Sequence, residues 1–176
     1  MTEMNRLGKE KTDFFRSMVR KTRQGSRFDM MDEFIQHGDT TVRTHCLHVA
    51  QTAYYIAMRF NIKVDEASLI RGALLHDYFL YDWHEKSWAN SIHGYTHPGK
   101  ALKEAEKDFD LNDIERDMIK HHMFPLTIFP PKTKEGWILV LADKVCATGE
   151  TIGDRYRSRQ RSGRDYGIVS VNRKTA

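Results

Sequence analysis

This 176-residue sequence predicts an all-α fold, one helical bundle of five to seven helices. Three observations predict it. Apolar residues recur with a 3.6-residue period along several long segments. Short runs with capping or helix-breaking chemistry separate those segments. Strand signals are weak: IVSV at 168–171 is short, and TIF at 127–129 is hemmed in by prolines.

Residues 10–24 read as a short helix. Residues 28–37 read as another, with Phe28, Met31, Phe34 and Ile35 on its apolar side, and Gly38-Asp39 then breaks the chain. Thr40 or Thr41 can cap a long helix through about Phe60, whose apolar positions are Val42, Cys46, Val49, Ala53, Ile56, Ala57 and Phe60. Asn61 to Val64 is a short connection. Asp65 caps the next helix, with Glu66 in its first turn, and that helix ends at about His76. The stretch from 78 to 96 mixes aromatic and polar residues with no clear period. Thr96 can cap a helix over 97–108, with Pro98 tolerated in the first turn. Leu111-Asn112 leads into a helix through His121-His122. Three prolines mark a loop after that pair, and a final long helix spans about 134 to 158. No internal repeat or low-complexity tract is present. The expected organisation is a basic helical arm at 1–27, a helical body at 28–160 and a basic irregular tail at 161–176.

Hydrophobic content is 40% and charged content 30%, ordinary for a soluble globular protein. No apolar run approaches the ~20 residues that span a bilayer. The first residues lack the apolar core of a secretory signal, so cytoplasm is the expected compartment. The two cysteines, Cys46 and Cys146, form no CxxC, which excludes a disulfide framework and a sulfur-rich zinc site. Cys46 lies in an apolar stripe and reads as a buried thiol.

The net charge of +4 is unevenly spread. Residues 1–27 hold eight basic and three acidic side chains, 28–150 hold thirteen and nineteen, and 151–176 hold seven and two. An acidic body is a poor general surface for nucleic acid. The basic ends leave a contact with RNA or phosphate open.

Chemistry concentrates in the histidines, nine in all. His76-Asp77 ends an apolar helix, where the pair is costly if buried without partners. A divalent cation resolves that cost; so does a helix end facing water. At about 100° per residue, His45 lies about 60° from the centre of its helix's apolar stripe and His48 about 120°. His45 is therefore the better ligand candidate, and His48 reads as a surface or supporting residue. Asp143 follows the apolar run GWILVLA, where a carboxylate needs a cation. His97, His121 and His122 sit at helix ends. The candidate set is His45, His76, Asp77, His97, His121, His122 and Asp143.

The segments His45-Cys46-Leu47-His48-Val49-Ala50, Ala73-Leu74-Leu75-His76-Asp77 and Leu141-Ala142-Asp143-Lys144 resemble the HD superfamily of metal-dependent phosphohydrolases. The H…HD…D order covers about 100 residues, and the wider likeness runs over roughly 30–160. The resemblance implies an HD-type bundle in which His45, His76, Asp77 and Asp143 hold one metal. His97-Pro98-Gly99 and His121-His122 resemble the additional ligands of two-metal members, which include di-iron hydrolases of symmetrical dinucleoside tetraphosphates and cyclic-di-GMP phosphodiesterases. The downstream GYP motif of the latter is missing here, so the nucleotide hydrolases are nearer.

The function expected is hydrolysis of a phosphoester or phosphoanhydride bond in a nucleotide-like small molecule, by metal-activated water. Oxygen and imidazole ligands without thiolate suit Fe, Mn, Zn or Ni, with Mg acceptable at one position. Two ions are expected, with Asp77 able to bridge them, and Lys144 can neutralise phosphate. Arg43 can reach a phosphate or remain solvated. The aromatics Tyr78, Phe79, Tyr81, Trp83 and Trp88 can stack a base or pack the bundle. His84 and His93 have no assigned role. Competing classes are a non-catalytic metal-binding regulatory domain and a di-iron oxygenase.

Overall fold

A computed structural model describes residues 7–37, 40–78 and 93–165, with the side chains of 37, 93–95 and 154–165 outside that description. The fold is an all-α, single-domain bundle. Its elements are α1 (Lys9–Arg23), a 3-10 turn (Phe28–Glu33), β1 (Ile35–His37), β2 (Thr40–Thr41), α2 (Val42–Arg59), α3 (Glu66–Leu75), α4 (His93–Asp108), α5 (Asp113–His121) and α6 (Lys134–Asp165). No helix among the described residues is long and apolar enough to cross a membrane.

The caps expected at the starts of α2 and α3 are made. The Thr41 side chain accepts from the Thr44 amide at 3.2 Å and starts α2. Asp65 accepts from Ser68 at 2.7 Å and starts α3. Asn112 and Glu115 form a reciprocal capping box on α5. Asn61 takes the left-handed conformation, φ 50°, in the connection between α2 and α3, a region in which Asn is tolerated better than most residues.

Three expectations about elements need correction. Residues 28–37 are not one helix. Phe28 and Met31 are buried in a 3-10 turn, while 35–37 pair antiparallel with 40–41 and leave Ile35 exposed. The extended backbone puts Gln36 on the opposite face from Ile35, and Gln36 is buried. Helix α4 starts at His93, ahead of the expected Thr96 cap, so Pro98 sits inside it. Helix α6 runs to Asp165, past the expected end at 158. Phe79, Tyr81, Trp83, His84, Trp88 and the 168–171 segment lie outside the described residues, as does the side chain of His93.

The core is built on α2 and α3, with α5 and α6 packed against them. Cys46, Val49, Ala53 and Ala57 of α2 meet Leu69, Ile70, Ala73 and Leu74 of α3, all fully buried. Helix α1 docks Phe15 and Met18 onto this core. Where α3 crosses α5, Gly72 faces Met118, and a Cβ on Gly72 would lie 2.6 Å from its sulfur. Beside that contact, Arg71 donates two hydrogen bonds of 2.6 Å to Glu115, whose side chain is 2% exposed. These contacts hold the two helices in register, so their C-terminal ends arrive together. Tyr78 turns its hydroxyl to Asp108 at 2.6 Å, and Arg27 donates to the same carboxylate at 2.9 Å. That bond ties the end of the N-terminal segment to the residue after Asp77.

Arg71 and Arg116 give a matched comparison, because Arg116 pairs with Glu106 where both side chains are 41% exposed. Arg71→Ala leaves a buried carboxylate without its counter-charge and is expected to cost about 2–4 kcal/mol. Arg116→Ala is expected to cost less than about 1 kcal/mol. Urea unfolding of the two variants checks this; equal losses contradict the role given to Arg71.

Candidate metal centre

Two histidines owe their orientation to the ends of helices. A helix leaves its last four carbonyls without an internal partner. His76 is the C-cap of α3, and its Nδ1–H donates to the Ala73 carbonyl at 2.8 Å. His122 is the C-cap of α5, and its Nδ1–H donates to the Ile119 carbonyl at 2.8 Å. The two rings make the same i to i−3 bond. A backbone carbonyl can only accept, so Nδ1 is the protonated nitrogen and Nε2 faces inward. The rings stand edge to face, with centroids 5.0 Å apart.

Asp77 follows His76 and is 2% exposed. Its Oδ1 lies 3.1 Å from His97 Nε2 and 3.3 Å from His122 Nε2. Its Oδ2 lies 3.4 Å from His76 Nε2 and accepts a 2.6 Å bond from Gln36 Nε2. The two oxygens thus face different neighbours. His97 Nε2 and His122 Nε2 are 2.8 Å apart, aimed at a common space.

From α2, His45 presents Nε2 to Asp143 Oδ1 at 3.1 Å, and that oxygen is 3.6 Å from His76 Nε2. His45 Nδ1 bonds Glu150 at 2.9 Å. Glu150 also meets His48 Nδ1 at 3.3 Å, which gives the half-exposed His48 the supporting place foreseen for it. Cys46 is a buried thiol, 3.8 Å from His76 Nδ1.

Among the described residues, two ligand groups have donor atoms all within 4.8 Å of one another: His45, His76 and Asp143, and His76, Asp77 and His122. His97 lies against the second group. His121 joins neither. On a helix, adjacent residues point about 100° apart, and here His122 is the one whose Nε2 faces Asp77. His121 instead bonds Asp117 at 2.8 Å, and Asp117 also accepts from the Lys132 and Thr133 amides that lead into α6. Lys144 is exposed. Arg43 is partly exposed and pairs with Asp32 and, at 3.7 Å, with Asp29. Tyr78 packs in the core against Phe109, centroids 5.5 Å apart.

The electrostatics follow from burying charge at close range. Burial opposes the charged form of every group here. For His45 the carboxylates of Asp143 and Glu150 outweigh burial and lift its pKa from 6.5 to about 10. His76 is also raised well above its ordinary value: burial opposes its charge most strongly, but Asp77, Cys46 and Asp143 together outweigh burial. Asp77 and Asp143 are driven well below the usual carboxylate range, burial being overcome by the imidazoles around them. Burial dominates at His122 and lowers it, so that ring is neutral.

The donor set fits a divalent cation. His76 Nε2 and Asp77 Oδ1 are buried and lack a hydrogen-bond partner of normal geometry. Such atoms are costly in an interior unless something polar reaches them. Carboxylate oxygens and imidazole nitrogens in two groups, with no thiolate in either, fit a binuclear divalent-metal site. Glu150 and Gln36 are the two partners that reasoning from sequence did not single out. Glu150 had a signal: seven residues past Asp143, it returns to the same helix face within about 20°. Gln36 had none, because its position depends on the hairpin.

Comparison with curated proteins gave no match, and neither did comparison with solved structures. A scan against family models matched the model described as HD domain over residues 42–148. That span opens at the first residue of α2 and takes in all three histidine and aspartate segments. By that match, and by the metal-binding groups it encloses, the chain belongs to the HD-domain family.

Proposed function

We propose that this chain is a metal-dependent phosphohydrolase that cleaves a phosphoester or phosphoanhydride bond of a nucleotide-like substrate. The observation that carries the proposal is Asp77, a buried carboxylate with one oxygen toward His76 and the other toward His97 and His122. In this reading His45, His76 and Asp143 would hold one ion, and Asp77, His97 and His122 would hold a second. When bound, divalent ions supply Lewis acidity at a phosphoryl oxygen and lower the pKa of water. The chain's own residues do the positioning. Glu150 fixes the His45 ring from behind, and Gln36 holds the Asp77 carboxylate. Lys144 adds a screened positive charge beside Asp143, and His121 braces Asp117 rather than ligating.

His76→Ala and Asp77→Ala are each expected to lower bound metal and to cut turnover at least ~100-fold, with helical content retained. Lys144→Ala is expected to change turnover less than about threefold. Elemental analysis of anaerobically purified wild-type protein is expected to give two ions per chain. Full metal content and activity in both site variants would sink the proposal, and one ion per chain would reduce it to a mononuclear site.

Glu150→Gln removes a charge behind a ligand without changing shape. Metal affinity is expected to fall about 10–100-fold, read by competition with a chelator of known affinity. An unchanged affinity would mean that Glu150 supports His48 alone.

Metal uptake is expected to release protons. Metal-free His45 keeps its proton across neutral pH, because its pKa rises from 6.5 to about 10. The stability this gives is complete below about pH 6.5 and is lost as pH rises toward 10. A cation must displace that proton, so affinity rises with pH over the same window. Calorimetry at pH 7.5 in buffers of different ionisation enthalpy reads the protons directly, and a buffer-independent heat would contradict the assignment.

A further inference from the structure

Helix α6 is apolar on more sides than the bundle covers. Its run GWILVLA, residues 136–142, offers apolar side chains all round, and a helix of that kind is ordinarily covered on every side. Ile138, Leu139, Val140 and Ala142 are buried against the bundle. Trp137, Leu141, Val145 and Ile152 are instead 49% to 61% exposed. Trp137 meets Phe124 edge to face, with centroids 5.3 Å apart, and half of its surface stays open. A contiguous apolar patch on a helix marks an interaction surface.

The exposed residues follow a definite period. Leu141, Val145, Thr148 and Ile152 are spaced four, three and four residues apart, and Thr148 is exposed with the rest. That alternation is the seam of a coiled coil, whose 3.5-residue period keeps one face toward a second helix. At about 100° per residue, Asp143 and Glu150 point roughly 180° away, so the seam takes no part in the metal centre. Lys144 lies at its edge, and no acidic residue between 134 and 152 is exposed.

The seam is complementary to itself. Set antiparallel on a second copy, with the twofold axis between positions 146 and 147, Leu141 faces Ile152 and Val145 faces Thr148. Lys144 then falls beside Thr151 of the other copy, so no like charges meet. The face from Trp137 to Ile152 is about 24 Å long and about 10 Å wide. That is well short of the ~800 Å² per partner of a stable complex, so the pairing is reversible.

We propose that two copies of this chain associate through antiparallel pairing of their α6 helices along Leu141, Val145, Thr148 and Ile152. The dissociation constant is on the order of tens of micromolar. The two metal centres then lie on the outer sides of the paired helices. This inference is independent of the phosphohydrolase assignment.

Sedimentation velocity of the metal-loaded protein, over a concentration series spanning the micromolar range, is the first test. Wild type is expected to pass from monomer to dimer as concentration rises. In Leu141→Glu/Ile152→Glu, carboxylates face each other across the seam, and dimer affinity is expected to fall at least about 30-fold. Leu141→Met/Ile152→Met is expected to stay within about threefold of wild type. Circular dichroism and metal content confirm that each variant is intact. Disulfide trapping reads the register. In Leu141→Cys/Ile152→Cys the two positions of one chain lie about 16 Å apart, too far to join to each other. Mild oxidation is expected to link position 141 of one copy to 152 of the other, identified by mass spectrometry, and Leu141→Cys alone is not expected to give a dimer. A monomer at every concentration would overturn the proposal, as would a dimer that the glutamate pair leaves unchanged or a link in another register. Monomeric protein that binds phosphatidylglycerol vesicles, and loses that binding in the glutamate variant, would also overturn it and give the face to a lipid surface.

Discussion

Asp77 is a carboxylate buried almost completely at the end of an apolar helix, and the bundle is arranged to keep it ionised there. An unpartnered charge in such a place costs several kcal/mol, so its surroundings must answer it from more than one direction. They do so from four elements. The β1 strand brings Gln36, α3 brings His76, α4 brings His97, and α5 brings His122. The Gly72–Met118 contact and the Arg71–Glu115 pair determine how α3 and α5 cross, and so whether those imidazoles meet. Without a cation, protons on His45 and His76 balance the carboxylates. Protons and metal ions thus compete for the same inward-facing nitrogens.

Local sequence was a good guide wherever one helix face decided the answer. The stripe on α2 placed His45 toward the core and His48 toward its edge, and Thr41, Asp65 and Asn112 announced three helix starts. The apolar run before Asp143 announced a carboxylate that would need a partner. Sequence misled where long-range pairing overrode periodicity. Residues 28–37 carry an apolar spacing that suits a helix, yet the chain turns extended to pair with 40–41 and deliver Gln36. The adjacent histidines take different partners: one helical step separates their directions, so His122 lies beside Asp77 while His121 bonds Asp117.

The family match, from 42 to 148, covers the ligand candidates but neither of the two side chains that hold them from behind. Gln36 precedes the span and Glu150 follows it. The segments just outside the matched core therefore complete the centre. Arg27 does something related at longer range: by binding the Asp108 carboxylate that also receives the Tyr78 hydroxyl, it steadies Tyr78, the residue after Asp77.

The ring-to-carbonyl bonds of His76 and His122 carry a consequence for the cost of capturing an ion. A free imidazole must give up rotameric freedom when it is captured, an ordering cost of about 0.5–1.5 kcal/mol for a mobile side chain. Here each ring is already tethered to its own helix end, three residues back. That ordering is charged to folding, before any ion arrives. The tethers are also local, so each ring is aimed by its own helix, and tertiary assembly has only to bring two prepared ends together.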